Sequence, residues 1–242
     1  MFSQSAAVIW TGANWFVQMY NSYTVKDPLS VYPERLLNCN MYRLDVEGGA
    51  VFFDPSLTPE AIRYTDPVVM IVATHGHFDH VNASGAWKEQ FPETPYVMIG
   101  DEVPLLDDVR GNASTNFGKP QKFPHPDREL REGDRCVLDD QFTMEVISTP
   151  GHTKGSACYM LWKKVDSKDK PFALITGDTL FDNGWGRTDF ATGDDRQMRL
   201  TLQRLYRILS NMPPDLPVCA GHGGTTTAHN ACHFLEIMGF FA

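Results

Sequence analysis

Thr74-His75-Gly76-His77-Phe78-Asp79-His80 directly follows an apolar run at residues 68–73. It brings four side chains with metal-binding atoms into six residues. In an extended backbone, residues i and i+2 lie on one side, so His75 and His77 can bind one ion together. If a helix follows, Asp79 and His80 can face a second ion. Imidazole nitrogens and carboxylate oxygens are ordinary zinc ligands, so the motif predicts a metal centre at the end of a strand.

Three more candidate ligands follow strand-like runs, each beside a glycine: His152 in Thr149-Pro150-Gly151-His152, Asp178 in Thr176-Gly177-Asp178-Thr179, and His222 in Ala220-Gly221-His222-Gly223. Ligands of α/β sheets bind outside the carboxyl ends of strands. The set divides into His75, His77 and His152 for one ion and Asp79, His80 and His222 for another. Asp178 can bridge the two ions through its two oxygens.

The number and type of these candidate ligands favour hydrolytic chemistry. Two ions roughly 3.5–4 Å apart can share a bridging hydroxide that is nucleophilic at neutral pH. Asp79 would then be catalytic as well as a ligand, because it can orient that hydroxide. No serine or cysteine nucleophile is required, and the sequence predicts a binuclear metal-dependent hydrolase.

The remaining sequence predicts a layered α/β fold. Strands are expected at residues 41–44, 50–53, 68–73, 96–99, 141–147, 157–162, 172–176 and 217–220. Several of these runs are continuously apolar, which is typical of strands covered on both faces. The clearest helix spans residues 195–210, with Asp194 and Gln197 forming a capping-box pattern. Weaker helices are expected at residues 82–90, 102–109 and 228–238. Nothing marks a domain boundary, so residues 1–242 are expected to form one domain.

Composition excludes several other classes. The net charge of −9 gives no basic footprint for a nucleic-acid partner. The uncharged first 25 residues are interrupted by polar side chains and lack a basic start, which fits neither a membrane helix nor a signal peptide. We therefore expect a cytoplasmic protein with no membrane partner, and the sequence is compatible with a homodimer. Five cysteines without a CxxC pair favour small buried residues over a disulfide framework.

The order HxHxDH, then His, Asp and His, resembles the signature of the metallo-β-lactamase fold over about residues 38–227. This resemblance implies a four-layer αβ/βα sandwich, in which helices cover the outer faces of two sheets. It also implies a role for Asp54, in Phe52-Phe53-Asp54-Pro55, as a side chain that supports the metal ligands from behind.

Asp178, in place of a cysteine ligand, and the stretch Gly184-Trp185-Gly186-Arg187-Thr188-Asp189-Phe190 resemble the glyoxalase II group, above all its short bacterial members. The resemblance implies a thioester hydrolase with a small-molecule acyl substrate and two Zn²⁺ ions. Iron or manganese are alternatives, because the same donors suit them. Arg187 stands where that group has a basic residue that helps to bind the glutathione thioester. It could instead pair with Asp189, which replaces an aromatic residue of the group.

Other interpretations stay open. A persulfide dioxygenase-like oxidoreductase shares the fold and a similar stretch at residues 186–190, and would hold one iron at His75, His152 and Asp178. Gly221-His222-Gly223 favours the hydrolase. A lactonase ranks lower, because no tyrosine follows Asp178 closely. Since few residues of this sequence follow His222, we expect one domain without the C-terminal helical domain of larger glyoxalase II proteins. The polar stretch 110–134 is expected to be either a lid over the site or a plain surface loop.

Overall fold

The computed structural model describes the backbone of residues 4–11 and 14–241 and the side chains of residue 20 and residues 22–241. The strands are β1 (Gln4–Thr11), β2 (Asn14–Asn21), β3 (Tyr23–Lys26), β4 (Leu29–Pro33), β5 (Asn40–Val46), β6 (Gly49–Phe53), β7 (Val68–Val72), β8 (Tyr96–Ile99), β9 (Arg128–Leu130), β10 (Arg135–Val137), β11 (Phe142–Ser148), β12 (Ala157–Val165), β13 (Lys168–Gly177), β14 (Leu180–Phe181), β15 (Gly184–Trp185), β16 (Pro217–Ala220) and β17 (Thr226–Thr227). The α-helices are α1 (Phe78–Val81), α2 (Ser84–Gln90), α3 (Val103–Asp107), α4 (Asp195–Leu209) and α5 (Ala228–Ile237), and short 3₁₀ turns occupy Gly100–Glu102 and Ser114–Phe117.

Two large sheets contain most of these strands. One has seven strands in the order β3-β4-β5-β6-β7-β8-β9, and the other has six in the order β10-β11-β12-β13-β16-β17. Strands β6 to β9 run parallel to one another, and β13 is parallel to β16. The other neighbours in the two sheets are antiparallel. β1 with β2, and β14 with β15, form separate two-stranded ribbons.

Apolar side chains of the central strands alternate between two cores. In β6, Val51 and Phe53 belong to the core between the two sheets, whereas Ala50 and Phe52 belong to a core with Trp87 of α2. A third core lies on the outer face of the six-stranded sheet, beneath α4 and α5. The order of layers is therefore helices, sheet, sheet, helices. The expected four-layer αβ/βα sandwich is confirmed, and burial on both faces explains the continuously apolar runs.

Every strand predicted from the sequence is present, and β8 and β16 have the predicted bounds. The predicted helix 195–210 is α4, and Asp194 Oδ1 accepts a hydrogen bond of 2.9 Å from the Gln197 backbone N–H. The other predicted helices are shorter than expected, with 82–90 reduced to α2 and 102–109 to a 3₁₀ turn followed by α3. The sequence interpretation missed short or polar strands such as β9 and β10. None of the helices within residues 4–11 and 14–241 is long and apolar enough to cross a membrane.

Candidate metal centre

Loops from both sheets meet at one edge of the sandwich, because the strands that lead into them end there. β6 leads to Asp54, β7 to residues 75–80, β11 to His152, β13 to Asp178 and β16 to His222. The two sheets are linked at this edge. Cys39 forms an isolated antiparallel bridge with His222, and the Tyr159 hydroxyl donates a 2.8 Å hydrogen bond to the Ala73 carbonyl. The structure thus brings all seven predicted ligands together.

The first trio consists of His75, His77 and His152, all buried. His77 Nδ1 lies 3.1 Å from His75 Nε2 and 2.9 Å from His152 Nε2. Two nitrogens that bind one zinc tetrahedrally at ~2.0–2.1 Å lie ~3.4 Å apart, so this spacing is close to that of metal ligands. Burial lowers the pKa of all three imidazoles, that of His77 to about 3. Neutral imidazole is the form that binds a metal.

The second trio consists of Asp79, His80 and His222. His222 Nε2 lies 3.2 Å from Asp79 Oδ2 and 3.4 Å from His80 Nε2. Burial opposes protonation of His222, but hydrogen bonds to Asp178 and Asp79 outweigh it and raise the pKa of His222 to about 10. A metal bound by these donors would have to displace that proton, so binding of the ion would compete with protonation of His222.

Asp178 lies between the two trios. Its Oδ1 is 3.3 Å from His80 Nε2, and its Oδ2 is 3.5 Å from His152 Nε2 and 3.4 Å from His222 Nε2. One carboxylate thus contacts both groups of donors. Two sets of three donors with a shared carboxylate fit two divalent cations, as the sequence predicts for a bridging position.

Groups behind the ligands fix the orientation of the rings. His152 Nδ1 donates to the Arg187 carbonyl at 2.7 Å, and His222 Nδ1 donates to the Asn38 carbonyl at 2.5 Å. In both rings Nε2 is then the nitrogen that faces the centre and would bind the metal. Such hydrogen bonds to the second ring nitrogen are the usual means of setting the tautomer of a metal-binding histidine.

Asp54 lies behind the centre, where the sequence interpretation expected a supporting side chain. It is buried, and its Oδ2 is 2.9 Å from His80 Nδ1. The same carboxylate accepts hydrogen bonds from the Thr74 backbone N–H at 2.7 Å and from the Thr74 hydroxyl at 2.9 Å. Asp54 therefore ties the His80 ring to the end of β7.

Glu102 is a buried carboxyl group that the sequence interpretation missed. Its Oε1 accepts from the Gly76 N–H at 2.8 Å, and its Oε2 accepts from the Gly155 N–H at 2.8 Å and the Thr153 hydroxyl at 3.0 Å. It thereby connects the loop of His75 and His77 to the loop of His152. The sequence feature that could have pointed to Glu102 is its position just after β8, which is a parallel neighbour of β7.

Replacing Glu102 with glutamine is expected to change how stability depends on pH. Burial raises the pKa of Glu102 to about 7, against the opposing effect of its three hydrogen bonds. The folded chain therefore binds the proton of the Glu102 carboxyl group more tightly than the unfolded chain does. The resulting stabilisation is complete below about pH 4.5, the ordinary pKa, and is lost as the pH rises through about 7. Glutamine does not titrate.

The free energy of unfolding of wild type, minus that of Glu102→Gln, should therefore fall by about 3 kcal/mol between about pH 4.5 and pH 8. Urea unfolding of the two metal-free proteins at both pH values measures this difference. A difference that does not change with pH would contradict the assignment of a raised pKa to Glu102.

A cavity of about 530 Å³ opens beside the two trios. Its lining consists of His77, Asp79, Ala113, Asn116, Phe117, His152, Asp178, Phe181, Trp185, Gly186, Arg187, Phe190 and His222. Ala113, Asn116 and Phe117 come from the polar stretch 110–134, and the Phe117 ring stacks on Phe78 with centroids 5.0 Å apart. This stretch therefore forms one wall of the cavity. Its closing over the site as a lid stays a prediction.

Arg187 lies in the cavity lining and is paired within its own loop. Its Nε is 2.5 Å from Asp189 Oδ1, and its Nη2 is 2.6 Å from Asp189 Oδ2. The guanidinium also lies over the Phe190 ring, 4.6 Å from the centroid. The structure thus forms the Arg187–Asp189 pair that the sequence offered as the alternative to a substrate contact.

Comparison with known proteins gives consistent matches. A family model described as the metallo-beta-lactamase superfamily matches residues 35–222. An uncharacterised protein of Aquifex aeolicus is 33% identical, over 79% of this chain and 86% of the relative. The probable metallo-hydrolase YqgX of Bacillus subtilis and the hydroxyacylglutathione hydrolase GloC of Haemophilus influenzae are each 29% identical. Both matches cover 78% of this chain and 87% of the relative.

Solved structures share the architecture. BLEG-1, a B3 metallo-beta-lactamase, is 30% identical with a TM-score of 0.71, over 84% of this chain and 95% of its own. TTHA1623 in a di-iron-bound form is 28% identical with a TM-score of 0.66, over 82% of this chain and 94% of its own. ETHE1 from Myxococcus xanthus, at 22% identity and a TM-score of 0.60 over 87% of this chain and 91% of its own, is similar in fold.

Proposed function

Because the chain belongs to the metallo-β-lactamase superfamily, we propose that it is a binuclear metal-dependent hydrolase of thioesters or related acyl compounds. The observation that carries this proposal is the convergence of seven side chains, in which the Asp178 carboxylate contacts both the trio of His75, His77 and His152 and the trio of Asp79, His80 and His222. Both trios have a role in such a hydrolase, because one ion can stabilise the developing oxyanion and the other the leaving group.

The donor set supports zinc as the resident metal. One ion would be held by His75, His77 and His152, and the other by Asp79, His80 and His222, with Asp178 shared. When bound, the ions supply Lewis acidity to the acyl carbonyl and lower the pKa of a bound water. Iron and manganese are alternatives, because imidazole and carboxylate donors serve them too. The di-iron form of TTHA1623 is an example of iron in a similar chain.

The chain's own residues would position and shield the reactants. Asp79 lines the cavity, and its Oδ2 is 3.2 Å from His222 Nε2, so its carboxylate can orient a water molecule beside the second trio. The rings of Phe190, Phe181 and Trp185 border the same space and would exclude bulk water from the acyl group. The relative GloC is a hydroxyacylglutathione hydrolase, and hydroxyacylglutathiones are thioesters, which supports thioesters as the substrate class.

A persulfide dioxygenase is the alternative that the sequence left open. That reaction would use a single iron at His75, His152 and Asp178. It gives no role to the trio of Asp79, His80 and His222, whose donor atoms also all lie within 4.8 Å of one another. The converging second trio therefore favours the hydrolase.

The test is hydrolysis of a panel of thioesters and lactones by the purified protein. We expect thioester cleavage, measured by the thiol released, to stop when a chelator removes the metal and to return with added Zn²⁺. Lactone cleavage without thioester cleavage would shift the assignment to a lactonase. Oxygen uptake with a glutathione persulfide, and no hydrolysis, would contradict the proposal.

A further inference from the structure

We propose that a second cavity beside the metal centre holds the acyl chain of the substrate, so that the protein prefers thioesters whose acyl group is an extended hydrocarbon chain. This inference names a substrate class and rests on the proposed function.

The second cavity has a volume of about 510 Å³ and adjoins the cavity beside the two trios, which we call the metal-site cavity. Phe117 lines both cavities. At the start of α1, Phe78 lines the second cavity, whereas the next residue, Asp79, lines the metal-site cavity. The stacked rings of Phe78 and Phe117 therefore form the boundary between the two cavities.

The loop before β5 connects the second cavity to the metal centre from another side. Leu36 and Leu37 line the second cavity, and the carbonyl of the next residue, Asn38, accepts a 2.5 Å hydrogen bond from His222 Nδ1. Residues beside ligands of the second trio thus form walls of the second cavity. A chain attached to an acyl carbon at the metal centre can therefore pass Phe117 and enter this cavity.

Half of the residues that line the second cavity are apolar, namely Leu36, Leu37, Leu57, Ala61, Phe78 and Phe117. Leu36 is 79% exposed and Phe117 is 44% exposed. A hydrocarbon chain that covers these two side chains removes apolar surface of the protein and of the ligand from water, which is favourable.

The carboxylate in the lining of the second cavity already has partners. One oxygen of the buried Glu34 accepts from the Leu36 backbone N–H at 2.9 Å, and the other accepts from the Leu37 backbone N–H at 2.5 Å. The Tyr20 hydroxyl donates to the first of these oxygens at 3.1 Å. A hydrocarbon chain in the cavity would therefore not leave the Glu34 charge without hydrogen bonds.

The other polar groups of this lining are hydrogen-bonded, shielded or exposed to water. Thr58 Oγ1 accepts from the Ala61 backbone N–H at 3.1 Å, and Asn82 Nδ2 donates to a backbone carbonyl of α1 at 3.3 Å. Ser56 Oγ is buried without a partner, so a chain would not remove further water from it. The exposed Lys119 can keep its ammonium group in water. A hydrocarbon chain would thus break none of these hydrogen bonds.

The acyl side of a thioester is the part that can be hydrocarbon throughout. Common thiol carriers such as glutathione and pantetheine contain amide groups, and burial of an amide without a hydrogen bond costs free energy. Since most polar groups of the second cavity already have partners, an acyl chain fits this cavity better than a thiol carrier does.

The experiment compares two acyl lengths on one uncharged carrier. The butyryl and octanoyl thioesters of N-acetylcysteamine are given to the metal-loaded protein. Each methylene that leaves water contributes up to about fourfold, so we expect kcat/KM to be at least about tenfold higher for the octanoyl thioester. Equal values, or a preference for the butyryl thioester, would overturn the proposal.

Two variants test whether the longer chain lies in the second cavity. Ala61→Phe adds a ring to a wall of the second cavity that the metal-site cavity does not share, and Leu36→Asn makes an exposed part of the lining polar. Each should lower the ratio of kcat/KM for octanoyl to that for butyryl at least about threefold. Val137→Asn is the matched control, because Val137 is 74% exposed on β10 and lines neither cavity. An unchanged ratio in Leu36→Asn, or an equal loss in Val137→Asn, would overturn the proposal.

Two isomeric thioesters show which side of the thioester bond carries the chain into the second cavity. S-ethyl octanethioate and S-octyl ethanethioate consist of the same atoms. Leu36→Asn should lower kcat/KM about threefold more for S-ethyl octanethioate than for its isomer. The reverse result would place the thiol carrier in the second cavity and overturn the acyl assignment.

A binding measurement keeps this inference separate from the proposed function. Titration calorimetry with two thioethers that cannot be hydrolysed, N-acetyl-S-butylcysteamine and N-acetyl-S-octylcysteamine, gives Kd without turnover. The octyl thioether should bind at least about tenfold more tightly, and Leu36→Asn should reduce this difference. Equal binding of the two thioethers, or no binding of either, would overturn the inference. Failure to hydrolyse any thioester, with the octyl thioether bound more tightly, would instead contradict only the proposed function.

Discussion

Replacing Asp178 with asparagine is expected to lower kcat/KM by about 10³-fold or more, because metal-ion stabilisation of the transition state contributes several kcal/mol. The two Asp178 oxygens lie 3.3 Å from His80 Nε2 and 3.5 Å from His152 Nε2, so this side chain serves both trios. Asparagine has nearly the same shape. Its amide nitrogen cannot replace a ligand oxygen, and the negative charge between the two sites is lost.

The measurement for Asp178→Asn is thiol release together with elemental analysis of the metal bound per chain. Asp182→Asn is the matched control. Asp182 is an exposed carboxylate four residues after Asp178 that accepts a hydrogen bond from Asn183 and does not line the cavity, so this variant should retain metal and activity. Thermal unfolding shows whether the variants keep the fold. Full activity and full metal content in folded Asp178→Asn would show that the carboxylate is not shared between two ions.

Replacing Asp54 with alanine is expected to lower kcat/KM or metal affinity by about 10–100-fold, which is typical of groups that orient a metal ligand. Asp54 Oδ2 is 2.9 Å from His80 Nδ1, so its loss frees the His80 ring to rotate. It also leaves the buried Thr74 N–H without its acceptor, at a cost of about 1–3 kcal/mol in stability.

The readout that separates these two effects is the number of ions bound. A positioning role predicts that Asp54→Ala loses the ion of the Asp79, His80 and His222 trio before the other. A purely structural role would lower stability and leave the metal content unchanged. Asp127→Ala is a suitable control. Asp127 accepts from the Tyr96 N–H at the amino end of β8, at the opposite edge of the same sheet, and pairs with Lys88. Asp127→Ala should lower the free energy of unfolding and leave the number of bound ions unchanged.

The convergence of the ligands could be predicted because each lies in the segment that follows a strand. His75 follows β7 and Asp178 follows β13, and the carboxyl ends of strands meet at one edge of such a fold. The strands themselves were predictable because both faces are buried, which demands continuously apolar sequence. β9 could not be predicted, because Arg-Glu-Leu owes its strand conformation to pairing with β8 rather than to its own pattern.

Tertiary contacts decide the parts of the site that the sequence left open or missed. The buried Glu102 carboxylate accepts hydrogen bonds from three donors that belong to two distant loops. The sequence around residue 102 gives no indication of those donors. Arg187 had two plausible partners in the sequence, and the geometry of its loop brings Asp189 to it. The stretch 110–134 has the composition of a surface loop, yet the contact between Phe117 and Phe78 brings it to the cavity.

The metal content of the protein, purified without added metal, tests the central claim most directly. Elemental analysis reports both the identity and the number of ions per chain. Two converging trios predict about two ions per chain, with zinc as the expected metal and thioester hydrolysis that depends on them. About one iron per chain, with little zinc and with oxygen uptake in place of hydrolysis, would contradict the binuclear hydrolase.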